Sequence, residues 1–431
     1  MTAKGQDRSR ADRKLTPCLL GLIGVCAAFE ARAQNASSRD ASAGDTAISV
    51  QQRARQELDP IPMRFGSFEV LASAETRVVY DDNIYAARVD TAGDALTTVA
   101  GSLAAHSAWN RHAISLNADA ALVRGLSQTN ENTATYDARL GGRLDFGTQT
   151  RVSAHADYSR AYEARGSIGD TTLRGPRIAY NALELGLKAE HTAGRLIFDA
   201  QAQLDSYRYI PYRADGVQIA RGDRDYRTWK LGASAGYAIA SGIAAFAEGS
   251  VNQARYPDDT GAFDRSSSGW SLRGGLGFGV TRLIRGRAAI GYQDQRYNDP
   301  AFPRIKGLDF SAGLEWSPTR LATWTLEARR SLQRSPLVGV AGIRQSRYGT
   351  RLDYEVRRDL ILWGRLDRTV SEYAGTGRRQ NDLAGSLGTD WLLGRKLRLT
   401  AQAGLQRTRS NGMDGREFDR KRMSVSVRYA L

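Results

Sequence analysis

Apolar and polar residues alternate with a period of two along most of this chain. Near its end, Met423, Val425, Val427, Tyr429 and Leu431 are apolar, with Ser424, Ser426, Arg428 and Ala430 between them. Successive side chains of an extended backbone point to opposite faces, so this stretch has one apolar face and one polar face. Phe68, Val70, Ala72, Ala74, Thr76, Val78 and Tyr80 begin the same pattern. It returns in Tyr136 to Phe146, Leu183 to Leu187, Trp229 to Ile239 and Trp270 to Val280. With stretches around Val99, Ile114, Val152, Leu196, Ile243, Ile290, Phe310, Leu326, Leu352, Leu362, Leu387 and Leu399, the count is eighteen candidate strands between residues 66 and 431. That is roughly 20 residues per strand plus connection, which suits strands of ~10 residues.

The connections alternate too. Short ones (Gly147-Thr148-Gln149, Ser241-Gly242, Arg357-Arg358-Asp359, Gly394-Arg395) are interleaved with long Gly- and Asp-rich ones at 81–95, 164–177, 210–224, 257–267, 298–305 and 410–417. A soluble sandwich has no reason for this asymmetry, whereas transmembrane barrels show it. No apolar run reaches the ~18 residues of a spanning helix, so any membrane passage is by strands. A last strand that stops at Leu431 suits a barrel, because it must pair with the first to leave no open edge in lipid. The fold expected is all-β, a transmembrane antiparallel β-barrel of about eighteen strands over 66–431. Tyr80, Trp109, Phe146, Tyr237, Trp316, Trp363 and Trp391 recur near strand ends and are read as an interfacial girdle.

The N-terminus has a different character. Lys4, Arg8, Arg10, Arg13 and Lys14 precede the apolar stretch from Leu15 to Phe29, and Ala31-Arg32-Ala33 follows. This predicts a signal peptide over 1–33, cleaved before Gln34; a short buried helix is the bland alternative. Cys18 and Cys26 fall inside it, so the mature chain would hold no thiol, disulfide or thiolate metal site. Residues 34–65 are polar and aperiodic and read as a flexible periplasmic leader. The formal charge of +15 falls to +12 without residues 1–33. The arginines are scattered along strands with no nucleic-acid-reading motif, so an anionic surface or solute is the partner expected, not nucleic acid.

If the apolar parity faces lipid, the other faces the bore. It carries Arg139, Arg143, Arg151, Lys188, Lys230, Arg273, Arg287, Arg329, Arg351, Arg365, Arg398 and Arg428 as candidate pore-lining cations. Asp145, Asp157, Glu184, Glu190, Asp199, Glu248, Glu327, Asp353, Glu355 and Asp367 share that parity. A charge at the bilayer midplane costs roughly 2–4 kcal/mol, so the consistent parity argues for a wet interior. Two readings stand side by side. Acids and arginines pair across strands and hold the wall together, or the arginine excess makes the bore electropositive.

Chemical motifs fail on context. Gly232-Ala233-Ser234-Ala235-Gly236 matches a nucleophile elbow but lies mid-strand, and Ser234 has the inward parity. The glycines around Gly274–Gly279 lack the helix of a dinucleotide loop. His106, His112, His155 and His191 are unclustered, without metal-ligand spacing. Asp81-Asp82-Asn83 reads as a turn rather than a cation loop. No catalytic residue, metal or cofactor is expected.

Tyr80-Asp81-Asp82-Asn83-Ile84-Tyr85 resembles the N-terminal hallmark of the outer-membrane β-barrel porin type-2 family. Trp109-x-Arg111-His112 and Tyr162-Glu163-x-Arg165-Gly166-Ser167-x-x-Asp170 are similar to two further family blocks. The similarity covers roughly 68–431. It implies a barrel of the cell outer membrane, and many members accompany exopolysaccharide synthesis and export machinery. The expected function is a pore for an acidic exopolysaccharide, working with a periplasmic polysaccharide-export protein. A general or anion-preferring diffusion porin is the alternative, and a non-conducting structural or adhesive barrel the third. Membrane lipid is a further partner, and so is the barrel-assembly machinery, reached through the C-terminal strand. Leu431 stands there where Phe or Trp is commoner.

Overall fold

The structure, a computed structural model, describes residues 49–431 except 215, 258–263, 282, 336, 338 and 412–415. The expected signal peptide, both cysteines and residues 34–48 of the leader lie outside the described residues. Eighteen long strands close one antiparallel sheet, which the three-residue strand Met63–Phe65 joins by pairing with Phe68–Val70: β1 Phe68–Asp81, β2 Asp94–Ser107, β3 Ala113–Gly125, β4 Thr133–Phe146, β5 Thr150–Tyr162, β6 Ala179–Ala193, β7 Leu196–Tyr209, β8 Tyr226–Ala240 and β9 Ile243–Arg255. The second half continues with β10 Ser267–Thr281, β11 Ile284–Tyr297, β12 Ile305–Thr319, β13 Ala322–Arg334, β14 Gly342–Arg357, β15 Leu360–Tyr373, β16 Arg379–Leu393, β17 Leu397–Ser410 and β18 Phe418–Ala430. Each strand pairs with its sequence neighbours. β1 closes on β18 in a register running from Ser73↔Ala430 to Asp81↔Arg422, so no edge is left unpaired.

Side-chain parity follows the sequence pattern. Val78, Tyr80, Leu140, Leu144, Leu231, Leu276, Leu387, Val425 and Val427 are exposed on the outside of the sheet. With water on that face, so broad an apolar surface would drive association; in lipid it is the solvated face. One girdle assignment is corrected. Trp363 is buried and has the inward parity of Ile361 and Arg365, with the Arg351 guanidinium 4.8 Å from its ring centroid. Proximity to a strand end had suggested lipid, but parity places this ring in the bore.

At one rim the turns are tight. Gly194 (φ +61°) and Gly242 (φ +75°) supply the left-handed residue that two-residue hairpins need. At the other rim the connections 82–93, 163–178, 210–225 and 256–266 are long. Both described ends of the chain lie at the tight-turn rim, the inner mouth; the long loops mark the outer one.

The leader differs from its expected flexibility over residues 49–59, which dock at the inner mouth. Val50 is fully buried and its N–H donates to Thr323 Oγ1 at 3.0 Å. Arg53 and Arg55 both reach Glu355 Oε2, at 3.1 and 3.0 Å. Arg285 donates to Gln52, and Arg395 donates to the carbonyl of Glu57. Aperiodicity in the sequence hid this, because the segment is held by arginine–carboxylate pairs and backbone bonds rather than by an apolar face.

Candidate functional site

The bore wall is built from the inward parity, and most predicted cations there are answered by acids. Arg143 and Arg151 both contact Asp145, at 3.0 and 3.2 Å. Arg139 approaches Asp157 at 3.9 Å, and Lys188 pairs with Glu190. Arg273 and Arg287 share Glu248, each at 2.7 Å, and Arg273 also reaches Asp309. Arg351 pairs with Asp353, Arg365 with Asp367, Arg398 with Asp390 and Arg428 with Glu75. Lys230 sits in register between Gln203 and Asn252, and Arg329 between Ser311 and Arg347. Of the two readings of these charges, pairing describes most of them: acids on neighbouring inward positions answer the arginines along the strands and across them.

Within this pairing, residues of like charge still face each other in two regions of the wall. Asp119 faces Asp137 across β3–β4, Asp157 faces Glu184 across β5–β6, and Glu184 faces Asp205 across β6–β7. About half the barrel away, Arg329 faces Arg347 across β13–β14 and Arg351 faces Arg365 across β14–β15. An acidic stripe thus stands opposite arginines that face one another, with Asp353 and Asp367 answering Arg347, Arg351 and Arg365 there.

At the outer mouth the loop 163–178 folds over β1, β2 and β18. Arg165 donates from Nε to Glu131 at 2.7 Å and contacts Asp170 at 3.3 Å. Its guanidinium also lies 5.3 Å from the Tyr85 ring centroid. Arg416 reaches Asp170 at 2.8 Å. Asp81 receives Arg422 at 3.1 Å and Arg420 at 3.5 Å, and Arg420 donates to the Asn83 carbonyl. Asn83 closes its own turn by accepting from the Ala87 N–H and donating to the carbonyls of Ala87 and Asp419. With the Asn83 N–H donating to Asp81 and the Lys421 N–H to Asp82, the two aspartate carboxylates are occupied by arginines and backbone amides, as a turn requires. The segments around Tyr80–Tyr85 and Tyr162–Asp170, far apart in sequence, thereby form one cluster. Around its small central cavity Arg165, Arg177, Arg420 and Arg422 outnumber Asp81 and Glu131.

Loop ionisation follows from this packing. Burial disfavours the Asp170 carboxylate, but Arg416 and Arg165 outweigh burial and hold its pKa below the ordinary carboxylate range. Burial dominates at Glu163 and pushes its carboxyl up, against a hydrogen bond from Tyr209.

Charge-based reading of the sequence missed a third feature. Tyr180, Tyr207, Tyr209, Tyr226, Tyr256 and Tyr297 all take the inward parity on β6 to β11, near the outer end. Tyr207 stacks on Tyr226 with centroids 4.6 Å apart and planes at 19°. Tyr180 lies 5.4 Å from Tyr209, and Tyr226 5.6 Å from Tyr256. Arg224, Arg334 and Arg265 lie over three of these rings. The signal was present: in β6 and β8 the apolar parity is odd, and Tyr180 and Tyr226 are even.

Ser234 lies on the inner face of β8 hydrogen-bonded to Asp199, with no strand-to-helix turn around it. Among the described residues no three His, Cys, Asp or Glu side chains gather as for a metal ion.

A barrel with this closure, parity and loop asymmetry matches the family model described as "Putative beta-barrel porin 2" over residues 56–431. The chain belongs to that family. This porin-family barrel is thus an outer-membrane protein. No curated protein matches it. Among solved structures it is similar to the outer membrane protein OpdK of Pseudomonas aeruginosa, at 12% identity and TM-score 0.46 over 84% of this chain and 99% of that one. OccK3 (OpdO) of the same organism gives 14%, 0.44, 84% and 95%. The siderophore receptor PirA of Acinetobacter baumannii gives 8%, 0.44, 84% and 80%. Likeness at that level says nothing about what this porin-family barrel conducts.

Proposed function

We propose that this barrel is the outer-membrane outlet for an exopolysaccharide. The observation that supports it is the inward tyrosine arc from β6 to β11. Phenol rings present a flat apolar face and a hydroxyl, which suits the C–H faces and hydroxyls of pyranose rings. Several weak sites side by side let a polymer advance without being trapped, as conduction requires. The cation excess around Arg165, Arg177, Arg420 and Arg422 adds a modest preference for acidic sugars at the exit. A periplasmic export protein would deliver the chain to the inner mouth, where residues 49–59 lie.

Deletion of the gene tests this reading. Surface polysaccharide should disappear while polymer synthesis continues, and Tyr207→Ala with Tyr226→Ala should weaken the block of single-channel current by soluble oligosaccharides. Unchanged secretion in the deletion strain would refute it.

The transverse asymmetry of acids and arginines favours a second reading, diffusion of small charged solutes. A large anion-selective current from the purified protein alone, unaffected by oligosaccharide, would decide for that porin.

A further inference from the structure

The outside of the barrel is not uniformly apolar. At the outer end of β5–β9, Arg160, Arg208, Arg227 and Arg255 take the outward parity of Tyr158, Leu204, Trp229 and Val251. Arg160 and Arg208 both face Asn181, on either side of β6; Ser206 faces Arg227, and Arg227 faces Arg255. Like charges placed directly opposite each other across two strands destabilise the pair. Among the described residues none of the four makes an ion pair with a carboxylate, and Arg160 Nε and Asn181 Oδ1 are enclosed without a hydrogen-bond partner. Elsewhere on this rim Arg344 is answered by Glu372, Arg407 and Arg409 by Asp419, and Arg304 by Asp294, while the outward Arg330 and Arg368 donate to the neutral Ser346 and Asn381 and do not face another cation across a strand pair. At the inner end of the same strands no Lys or Arg takes the outward parity, and Leu196, Phe198 and Ile239 stand there.

Directly below the arginines, toward the membrane, lies an apolar groove of about 480 Å3 on the outer face of β6–β8. Leu185, Leu204 and Trp229 form one row across it, and Leu187, Ala202 and Leu231 the next. Ala202 is the small residue between two leucines, so the second row has a hollow where its neighbours stand proud. Trp229 is the outward residue next to Arg227, which puts the cations about 7 Å beyond the aromatic level, at the depth of lipid headgroups.

We propose that this face binds one phosphorylated, acylated glycolipid of the outer leaflet. Its phosphates would bridge Arg208, Arg227 and Arg255 and relieve their mutual repulsion. One acyl chain would lie in the groove over Ala202. A cation patch alone would suit any anion, and a groove alone any chain; their vertical order matches an amphiphile standing in the membrane.

The full-length protein in detergent, titrated with lipid A and observed by native mass spectrometry, tests this. The intact barrel should retain lipid A through detergent exchange. Replacing Arg208, Arg227 and Arg255 together by Gln should weaken retention by roughly tenfold or more, since each cation near a charged lipid surface contributes appreciably. Ala202→Leu, which fills the hollow, should also weaken it, while Arg330→Gln with Arg368→Gln, outward on other strands, should not. Heat-modifiable gel mobility verifies that each variant is folded. Equal retention by the triple variant, by Ala202→Leu, or of dephosphorylated lipid A would overturn the proposal. Equal retention of phosphatidylglycerol would overturn the choice of a glycolipid, and displacement by inorganic phosphate alone would reduce the site to an anion patch.

Discussion

Arg165 Nε donates to Glu131 at 2.7 Å and so ties the 163–178 loop to the connection between β3 and β4. Both side chains are almost wholly enclosed, at 4% and 2% exposure. Breaking such a pair by removing one partner costs about 3–5 kcal/mol, because the other charge stays buried. Arg165→Ala should therefore release the loop while the barrel, held by its strand ladder, remains closed. Amide exchange over 163–178 should accelerate and open-channel current should rise. Unaltered exchange would mean that other contacts hold the loop.

Gly166 gives a sharper probe of the same closure. Its φ is +78°, and a Cβ there would stand 2.7 Å from the Phe418 ring and 2.8 Å from the Ala86 Cβ. Gly166→Ala should cost roughly 1–3 kcal/mol of loop stability through strain, with a steric term added. Gly377→Ala, at φ +65° with open space around it, should show only the backbone part. Similar loop exchange in the two variants would argue against close packing on Phe418.

Acid should affect the outer mouth in a defined order. Asp170 has a depressed pKa in the folded loop, so its stabilisation is complete above the ordinary Asp range and is lost as pH falls through the lower folded value. Glu163 is raised, so its contribution is greatest below the ordinary Glu range and fades as pH climbs through the folded value. Current measured against pH should therefore show the mouth staying closed in mild acid and opening only below the usual Asp range. Asp170→Asn should remove that acid limb, and an identical profile in the variant would contradict it.

At the inner mouth, Glu355 is the shared acceptor for Arg53 and Arg55. Glu355→Gln, or deletion of residues 49–59, should increase single-channel conductance without changing heat-modifiable mobility. Conductance unchanged by the deletion would place the segment outside the current path.

The two faces of the wall predict opposite tolerance to charge. Leu387 on β16 is 71% exposed toward lipid, and Gln402 on β17 faces the bore between Gly388 and Ser424. Leu387→Arg should destabilise the barrel by roughly 2–4 kcal/mol if it lies near the midplane. Gln402→Arg should cost much less. Denaturant unfolding from lipid vesicles measures both, and equal costs would disprove the parity assignment.

The sequence alone determined the strands, their parity and the asymmetry of the two rims. A period of two is a local property of the backbone, and lipid on one side with water on the other writes it into every strand. It also marked the residues around Tyr80–Tyr85 and Tyr162–Asp170 as special. It did not show that they meet, since that depends on which loop folds into the mouth. Likewise, the inward arginines were legible one by one, but their neutralisation by Asp145, Glu248 or Asp390 depends on strand register, which a single sequence leaves open. The tyrosine arc, the docking of residues 49–59, the inward turn of Trp363 and the unanswered arginines above Ala202 were decided by tertiary structure, because each joins side chains that only barrel closure and register bring together.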